Sequence, residues 1–115
     1  MVGLLNPKEV SMQDNLEAKR CSDLFKALAD PHRLMIIQSL RSGPQNVTEI
    51  ASALKVPIVN VSHHLGVLKA FGLVQDKKAG RFVRYSLNNQ IFVSVDGDTT
   101  TLDLGVCKLV IPLKS

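Results

Sequence analysis

The chain has 115 residues, of which 45% are hydrophobic, and a net charge of +4. This length suits one domain with a few helices and a small sheet, and is too short for a catalytic domain joined to a regulatory one. No window approaches the roughly 18 apolar residues of a membrane span, and the first residues lack the features of a signal peptide, so we expect a cytoplasmic protein. Cys21 and Cys107 form neither a CxxC metal motif nor a disulfide framework.

The excess positive charge lies in the middle of the chain. Residues 31–86 carry eight basic and two acidic side chains, a net charge of +6, whereas residues 1–30 and residues 87–115 each carry −1. Such a local excess is typical of a surface that binds a polyanion such as nucleic acid. A solvated basic face without a partner would give the same count.

The first half of the chain predicts helices. We expect residues 1–10 to form a flexible arm, and residues 11–29 to form a helix because apolar side chains recur there at helical spacing. Asp30 is a good N-cap and Pro31 suits the first helical position, so a second helix begins there. It should end before Gly43.

Two more helices follow, separated by a short turn. Asn46 and Glu49 have the spacing of a capping box, which predicts that a third helix begins beside them. Residues 55–57 form the turn, and a fourth helix is expected over residues 58–71. Gly72 marks its end.

The rest of the chain predicts strands. Residues 73–76 and 81–87 read as a β-hairpin whose turn is Lys77-Lys78-Ala79-Gly80. Residues 89–115 suggest a second hairpin, with an Asp96-Gly97 turn, and one further strand. The predicted fold is therefore mainly α with a small β-hairpin. It comprises a winged helix-turn-helix over residues 11–88 and a β-rich C-terminal extension of the same domain.

The fourth predicted helix has one apolar side and one polar side. A helix of this kind fits the major groove of DNA, where its outward side chains reach base edges. Asn60, Ser62 and His63 offer donors and acceptors for bases, and Lys69 suits a phosphate. The basic hairpin beside it favours DNA recognition over an amphipathic helix that merely faces water.

Three segments resemble ArsR/SmtB-type repressors: LFKALADPHRL at residues 24–34, VSHHLGVLKAFGLV at 61–74 and GRFVRYSL at 80–87. The resemblance covers residues 16–88 in one register. It implies a homodimer that binds an imperfect palindrome in double-stranded DNA and represses transcription until an effector releases it.

The resemblance also assigns roles to residues. It implies base contacts by Ser62 and His63, which Asn60 is expected to join. It also implies DNA contacts by the wing residues Lys77, Lys78 and Arg81, which can meet phosphates or a minor groove. The sequence departs from the family at Ile58 and Val59, where relatives usually carry polar residues.

Both metal sites usual in these relatives are missing from the sequence. Residues 47–51 lack the Cys-x-Cys pair, and the C-terminal region has no His. We therefore expect no metal site and no cofactor. His64 is predicted to be a hydrogen-bonded packing residue, and His32 a capping or exposed residue.

The two cysteines leave two interpretations open. Cys21, on the apolar face of the first helix, and Cys107 are either inert thiols or a pair that senses oxidants or trivalent arsenic. In the family the first helix lies at the dimer interface. The C-terminal strands are expected either to cover that interface or to extend the wing sheet.

Two other function classes are less favoured by the sequence. A winged-helix adaptor that binds protein, without effector sensing, is the alternative to a DNA-binding repressor, but the basic wing favours DNA. An enzyme is not expected, because the sequence has no plausible Ser/His/Asp or Cys/His set and no phosphate-binding glycine loop.

Overall fold

The computed structural model describes residues 12–97, 99–105 and 108–112, so the predicted arm at residues 1–10 lies outside the described residues. Within these residues four helices precede five strands, which confirms the predicted fold class. The helices are α1 (Met12–Leu28), α2 (Pro31–Leu40), α3 (Val47–Leu54) and α4 (Ile58–Ala70); the strands are β1 (Val74–Ala79), β2 (Phe82–Leu87), β3 (Phe92–Asp96), β4 (Thr99–Asp103) and β5 (Lys108–Ile111).

Both predicted N-caps are present. The Asp30 carboxylate accepts hydrogen bonds from the backbone N–H groups of His32 (2.8 Å) and Arg33 (3.1 Å), at the start of α2. Asn46 and Glu49 form a reciprocal capping box at α3, with distances of 2.8 and 2.9 Å. These bonds satisfy backbone donors that a helix start otherwise leaves unpaired, so each helix begins where its cap lies.

The core is built from one face of every helix. On α4 the buried side chains are Val61, Leu65 and Leu68, none of which has measurable exposure. They pack in one hydrophobic cluster with residues of the other three helices, among them Leu24, Leu28, Ile36, Ile37, Leu40 and Ile50. The opposite face of α4 is therefore directed away from the protein. None of the described helices is long and apolar enough to cross a bilayer.

Strands β1 and β2 form an antiparallel hairpin, the wing, which is longer than predicted. The pairs Lys77–Arg84 and Lys78–Val83 continue the ladder, so the predicted turn over residues 77–80 is wrong. The turn is formed by Gly80 and Arg81 alone. Gly80 has φ +63°, a conformation that glycine adopts without steric cost and that a two-residue turn requires.

The base of the wing is anchored to the helices. Gln45, just before α3, exchanges two backbone hydrogen bonds with Tyr85 of β2, at 3.0 and 2.8 Å. The Asn88 side chain donates to the carbonyl of Gly72 at 2.8 Å, which ties the end of β2 to the end of α4. The wing is thus held at a fixed position relative to α4.

The C-terminal strands form a separate sheet. Strands β3, β4 and β5 pair antiparallel in that order, which confirms the predicted hairpin and third strand. The option that they extend the wing sheet is wrong, because the chain turns at Asn88, whose carbonyl accepts from the N–H groups of Ile91 and Phe92. The sheet instead packs on the core through buried side chains: Ile91, Phe92, Leu102 and Leu104. That it covers a dimer interface stays a prediction.

Candidate nucleic-acid interface

The outer face of α4 carries the predicted base-reading residues. Asn60, Ser62 and His63 are all exposed. They are held outward because Val61 and Leu65 on the same helix are fully buried. The helix therefore presents hydrogen-bond donors and acceptors outward, and an α-helix fits the major groove of DNA.

The wing adds cations beside that face. Beyond Val74, every residue of β1 is exposed, so the hairpin projects from the core. Lys77, Lys78 and Arg81 are exposed and carry no ion pair within the described part of the chain. Cations without an internal partner retain their full attraction for phosphates. Together with Val59, Asn60, Ser62, His63 and Gly66 of α4, these three residues are called the outer surface below.

Lys69 differs from the other predicted phosphate contacts. Its Nζ lies 2.7 Å from Oδ2 of Asp76 on β1. This hydrogen bond and the nearby carboxylate charge raise the pKa of Lys69 above its usual value. The pair ties the last turn of α4 to the wing, and Asp76 partly neutralises the charge of Lys69.

Other basic residues are also held by the protein itself. Arg84 donates to the carbonyl of Pro44 at 2.6 Å and lies 3.7 Å from the Glu49 carboxylate. Arg41 donates to the carbonyls of Gly97 and Thr99 in the C-terminal sheet. The basic excess in the sequence therefore divides into internal anchors and outward cations.

One outward cation was missed by the sequence reasoning. Lys55 is exposed in the turn between α3 and α4, at φ 56°. Its position just before the start of α4 places a positive charge at the edge of the outer surface. The available signal was a lysine in the connecting turn of a helix-turn-helix.

The region where α1, α2 and α4 meet contains a polar cluster formed by Asp30, His32, Arg33 and His64, and called the junction below. Arg33 Nη1 lies 3.3 Å from Nδ1 of His64, while its Nε and Nη2 donate to the carbonyls of Ala27 (2.5 Å) and Lys26 (3.3 Å). His64 Nε2 lies 4.0 Å from Asp30 Oδ1. Arg33 thus caps the C-terminal end of α1 and holds α4 through His64.

Burial and neighbouring charges shift the pKa values of His64 and Asp30 in the junction. Burial lowers the pKa of His64 because the charged imidazole is poorly solvated, and the Arg33 charge adds to this, while the Asp30 carboxylate acts in the opposite direction. Burial raises the pKa of Asp30, but the two backbone donors and the charges of His64 and Arg33 outweigh it, so this pKa lies below its usual value. The predicted packing role of His64 agrees with this geometry.

The same cluster brings possible metal ligands together, which the sequence did not indicate. One ligand atom each from Asp30, His32 and His64 lies within 4.8 Å of the others. The surroundings oppose a cation, because Arg33 donates toward His64 and the positive end of α2 points at the site. Asp30 Oδ1 already accepts two backbone hydrogen bonds. These contacts favour a structural role over metal binding.

The predicted thiol pair is only partly described. Cys21 is buried on α1, with 8% of its surface exposed. Cys107 lies outside the described residues. Thiol sensing by the two therefore stays a prediction.

Comparison with known proteins identifies similar regulators. Residues 30–76 match the family model described as bacterial regulatory protein, arsR family. The HTH-type transcriptional regulator NmtR of Mycobacterium tuberculosis is 45% identical over 74 residues, which are 64% of this chain and 62% of NmtR. The transcriptional repressor SdpR of Bacillus subtilis is 34% identical over 70 residues, 61% of this chain and 78% of SdpR.

A solved structure has the same architecture. A homodimeric winged helix-turn-helix DNA-binding domain from Mycobacterium bovis superposes with a TM-score of 0.66 at 28% identity, covering 78% of each chain. The match supports the fold assignment for the helices and the wing.

Proposed function

The chain belongs to the arsR family of bacterial regulatory proteins, and from this we propose that it is a transcriptional repressor which binds a palindromic operator in double-stranded DNA as a homodimer. The relatives that are named as repressors and the homodimeric DNA-binding domain support this function. The chain spans 62% of the mycobacterial relative's length.

One observation carries the proposal: the polar outer face of α4 lies beside a wing on which Lys77, Lys78 and Arg81 are exposed and have no ion-pair partner among the described residues. In this arrangement Asn60, Ser62 and His63 contact base edges in the major groove. The wing contacts the flanking phosphates through Lys77, Lys78 and Arg81. The base contacts give specificity, and the wing contacts give affinity that depends on salt.

Dimerisation is supported by an apolar groove along α1. Cys21, Phe25 and Ala29 contribute to its lining, and Phe25 is 42% exposed. Pairing of α1 with its counterpart would bury this surface and give a dimer with twofold symmetry. A palindromic operator matches such twofold symmetry.

The experiment is a nuclease footprint on the DNA upstream of the protein's own gene. We expect a protected site with two related half-sites, and binding that weakens steeply with salt. The His63→Ala variant should lose part of its preference for this site over random DNA, because a base contact is removed. Equal losses on both DNAs would contradict base reading.

The footprint also separates the repressor from a protein-binding adaptor. An adaptor would give no protected site, and its weak DNA binding would respond alike to every sequence. A repeat with an oxidant and with arsenite, on the wild type and Cys21→Ser, tests thiol sensing. If either agent releases the wild type from the DNA but does not release the variant, Cys21 has a role as a sensor.

A further inference from the structure

Two apolar side chains stand exposed at the start of α4. Val59 is 79% exposed and Ile58 is 49% exposed, although a valine and two leucines further along the same helix are completely buried. Single exposed aliphatic residues are common on protein surfaces. The position of Val59 within the outer surface is what makes its exposure informative.

Val59 lies in the same stripe as Ser62 and His63, two of the proposed base-reading residues. Side chains at positions i, i+3, i+4 and i+7 share one face of a helix, and Val59, Ser62, His63 and Gly66 have this spacing. Val59 is one turn before His63, in the N-terminal part of the helix that enters the groove first in helix-turn-helix proteins. It therefore lies where a base edge is expected.

Gly66 gives an independent indication that a partner approaches this stripe. A glycine inside a helix costs about 1 kcal/mol relative to alanine. A Cβ atom at Gly66 would meet nothing within 4 Å among the described residues, so the packing in that part of the chain does not require a glycine there. A ligand surface that comes close to the helix backbone would require one.

The chemistry of the groove identifies what an aliphatic side chain would meet. Among the base edges in the major groove, only thymine presents an apolar group, its C5-methyl. A valine offers no hydrogen bond and discriminates bases only through such a methyl group. On the basis of the proposed function, we propose that Val59 is a specificity-determining residue that packs against the C5-methyl of a thymine in each half-site of the operator.

The test removes that methyl group alone. Each thymine of the footprinted operator is replaced in turn by deoxyuridine, in both half-sites together, and affinity is measured by fluorescence anisotropy. We expect that replacing one symmetric pair of thymines lowers the affinity of the wild-type protein about tenfold. This corresponds to roughly a threefold loss of affinity per methyl group. An operator with 5-methylcytosine at that position should bind the wild-type protein more tightly than one with cytosine, because the C5-methyl group is restored.

The variants assign the effect to one side chain. In Val59→Ala the difference between thymine and deoxyuridine at that position should largely vanish, as in a double-mutant cycle. Val93→Ala is the matched control, because Val93 is 54% exposed in the C-terminal sheet and should leave the difference intact. Circular dichroism of all three proteins verifies that each is folded.

Two results would overturn the inference. Wild-type protein could bind its operator and respond to no thymine replacement, which would leave the proposed function standing and remove the methyl contact. Alternatively, the response could persist undiminished in Val59→Ala, which would assign it to another residue. Absence of any specific operator overturns the proposed function and this inference together, so the failures are distinguishable.

Discussion

The outer surface and the junction use the same residue types in opposite ways. His63 is exposed on α4, whereas its neighbour His64 is held by Arg33. Arg81 projects at the turn of the wing without an ion pair among the described residues, whereas the Arg33 guanidinium binds two carbonyls and an imidazole. Residue type alone therefore does not identify a DNA contact. The polar and charged side chains that have no partner within the described structure indicate where another molecule binds.

The largest expected effect comes from the outward cations of the wing. Replacing Lys77, Lys78 and Arg81 together by alanine should lower DNA affinity about a hundredfold or more at physiological salt, since a dimer loses the charge of both wings. Affinity is measured by anisotropy on specific and random DNA. The free energy of unfolding should change little, because these residues make no internal ion pair in the described structure. A large loss of stability in the triple variant would contradict the division of the basic residues into outward cations and internal anchors.

At the junction we expect substitution to affect the stability of the fold. Arg33→Ala should lower the free energy of unfolding by about 2 kcal/mol, because the variant leaves the end of α1 and the ring of His64 without their donor. Urea unfolding at a fixed protomer concentration measures this effect. Arg81→Ala is the matched arginine control and should unfold like the wild type. Equal stability of the two variants would remove the distinction between the regions.

Gly66 separates stability from binding within the outer surface itself. Gly66→Ala should raise the free energy of unfolding by up to about 1 kcal/mol, because alanine is the better helix former and its Cβ meets open space. The same change should weaken operator binding about tenfold, a cost of roughly 1.4 kcal/mol, because the new methyl group stands between α4 and the groove. If binding were unchanged, the DNA would not approach this turn of α4.

The smallest expected effect is the pH dependence of the junction. The pKa of His64 is lowered in the folded protein, so the unfolded chain takes up the proton first on acidification. Stability from neutral His64 is present above its usual pKa of about 6.5 and is lost as the pH falls through the lower pKa of the folded protein. Asp30, Arg33, His32 and His63 are the charged or titratable groups that act on it.

The measurement is urea unfolding of wild-type protein and His64→Gln at pH 8 and pH 5.5. Glutamine keeps an acceptor for Arg33 but does not titrate. The wild type should lose more stability than the variant on acidification. An identical loss in the two proteins would show that other groups cause the pH dependence.

Local signals made the helices predictable, and distant contacts account for what was missed. The caps at Asp30 and Asn46 depend on residues two or three positions away, so the sequence indicates them directly. The length of the wing depends on the pairing of Lys77 with Arg84 across the hairpin, which turn residues alone do not define. In the junction Arg33 contacts both Ala27 and His64, which are 37 positions apart, and no local sequence pattern predicts these contacts.

The salt dependence of DNA binding tests the central claim most directly. The logarithm of the operator affinity is measured against the logarithm of salt concentration for wild-type protein, Lys78→Ala and Arg84→Ala. Wild type should give a steep slope, and Lys78→Ala a slope shallower by about 0.9 for each phosphate that the lysine no longer neutralises. Arg84→Ala should give a slope close to wild type, since Arg84 is held by Pro44 and Glu49. Three equal slopes, or no salt dependence at all, would contradict the assignment of the outer surface to DNA.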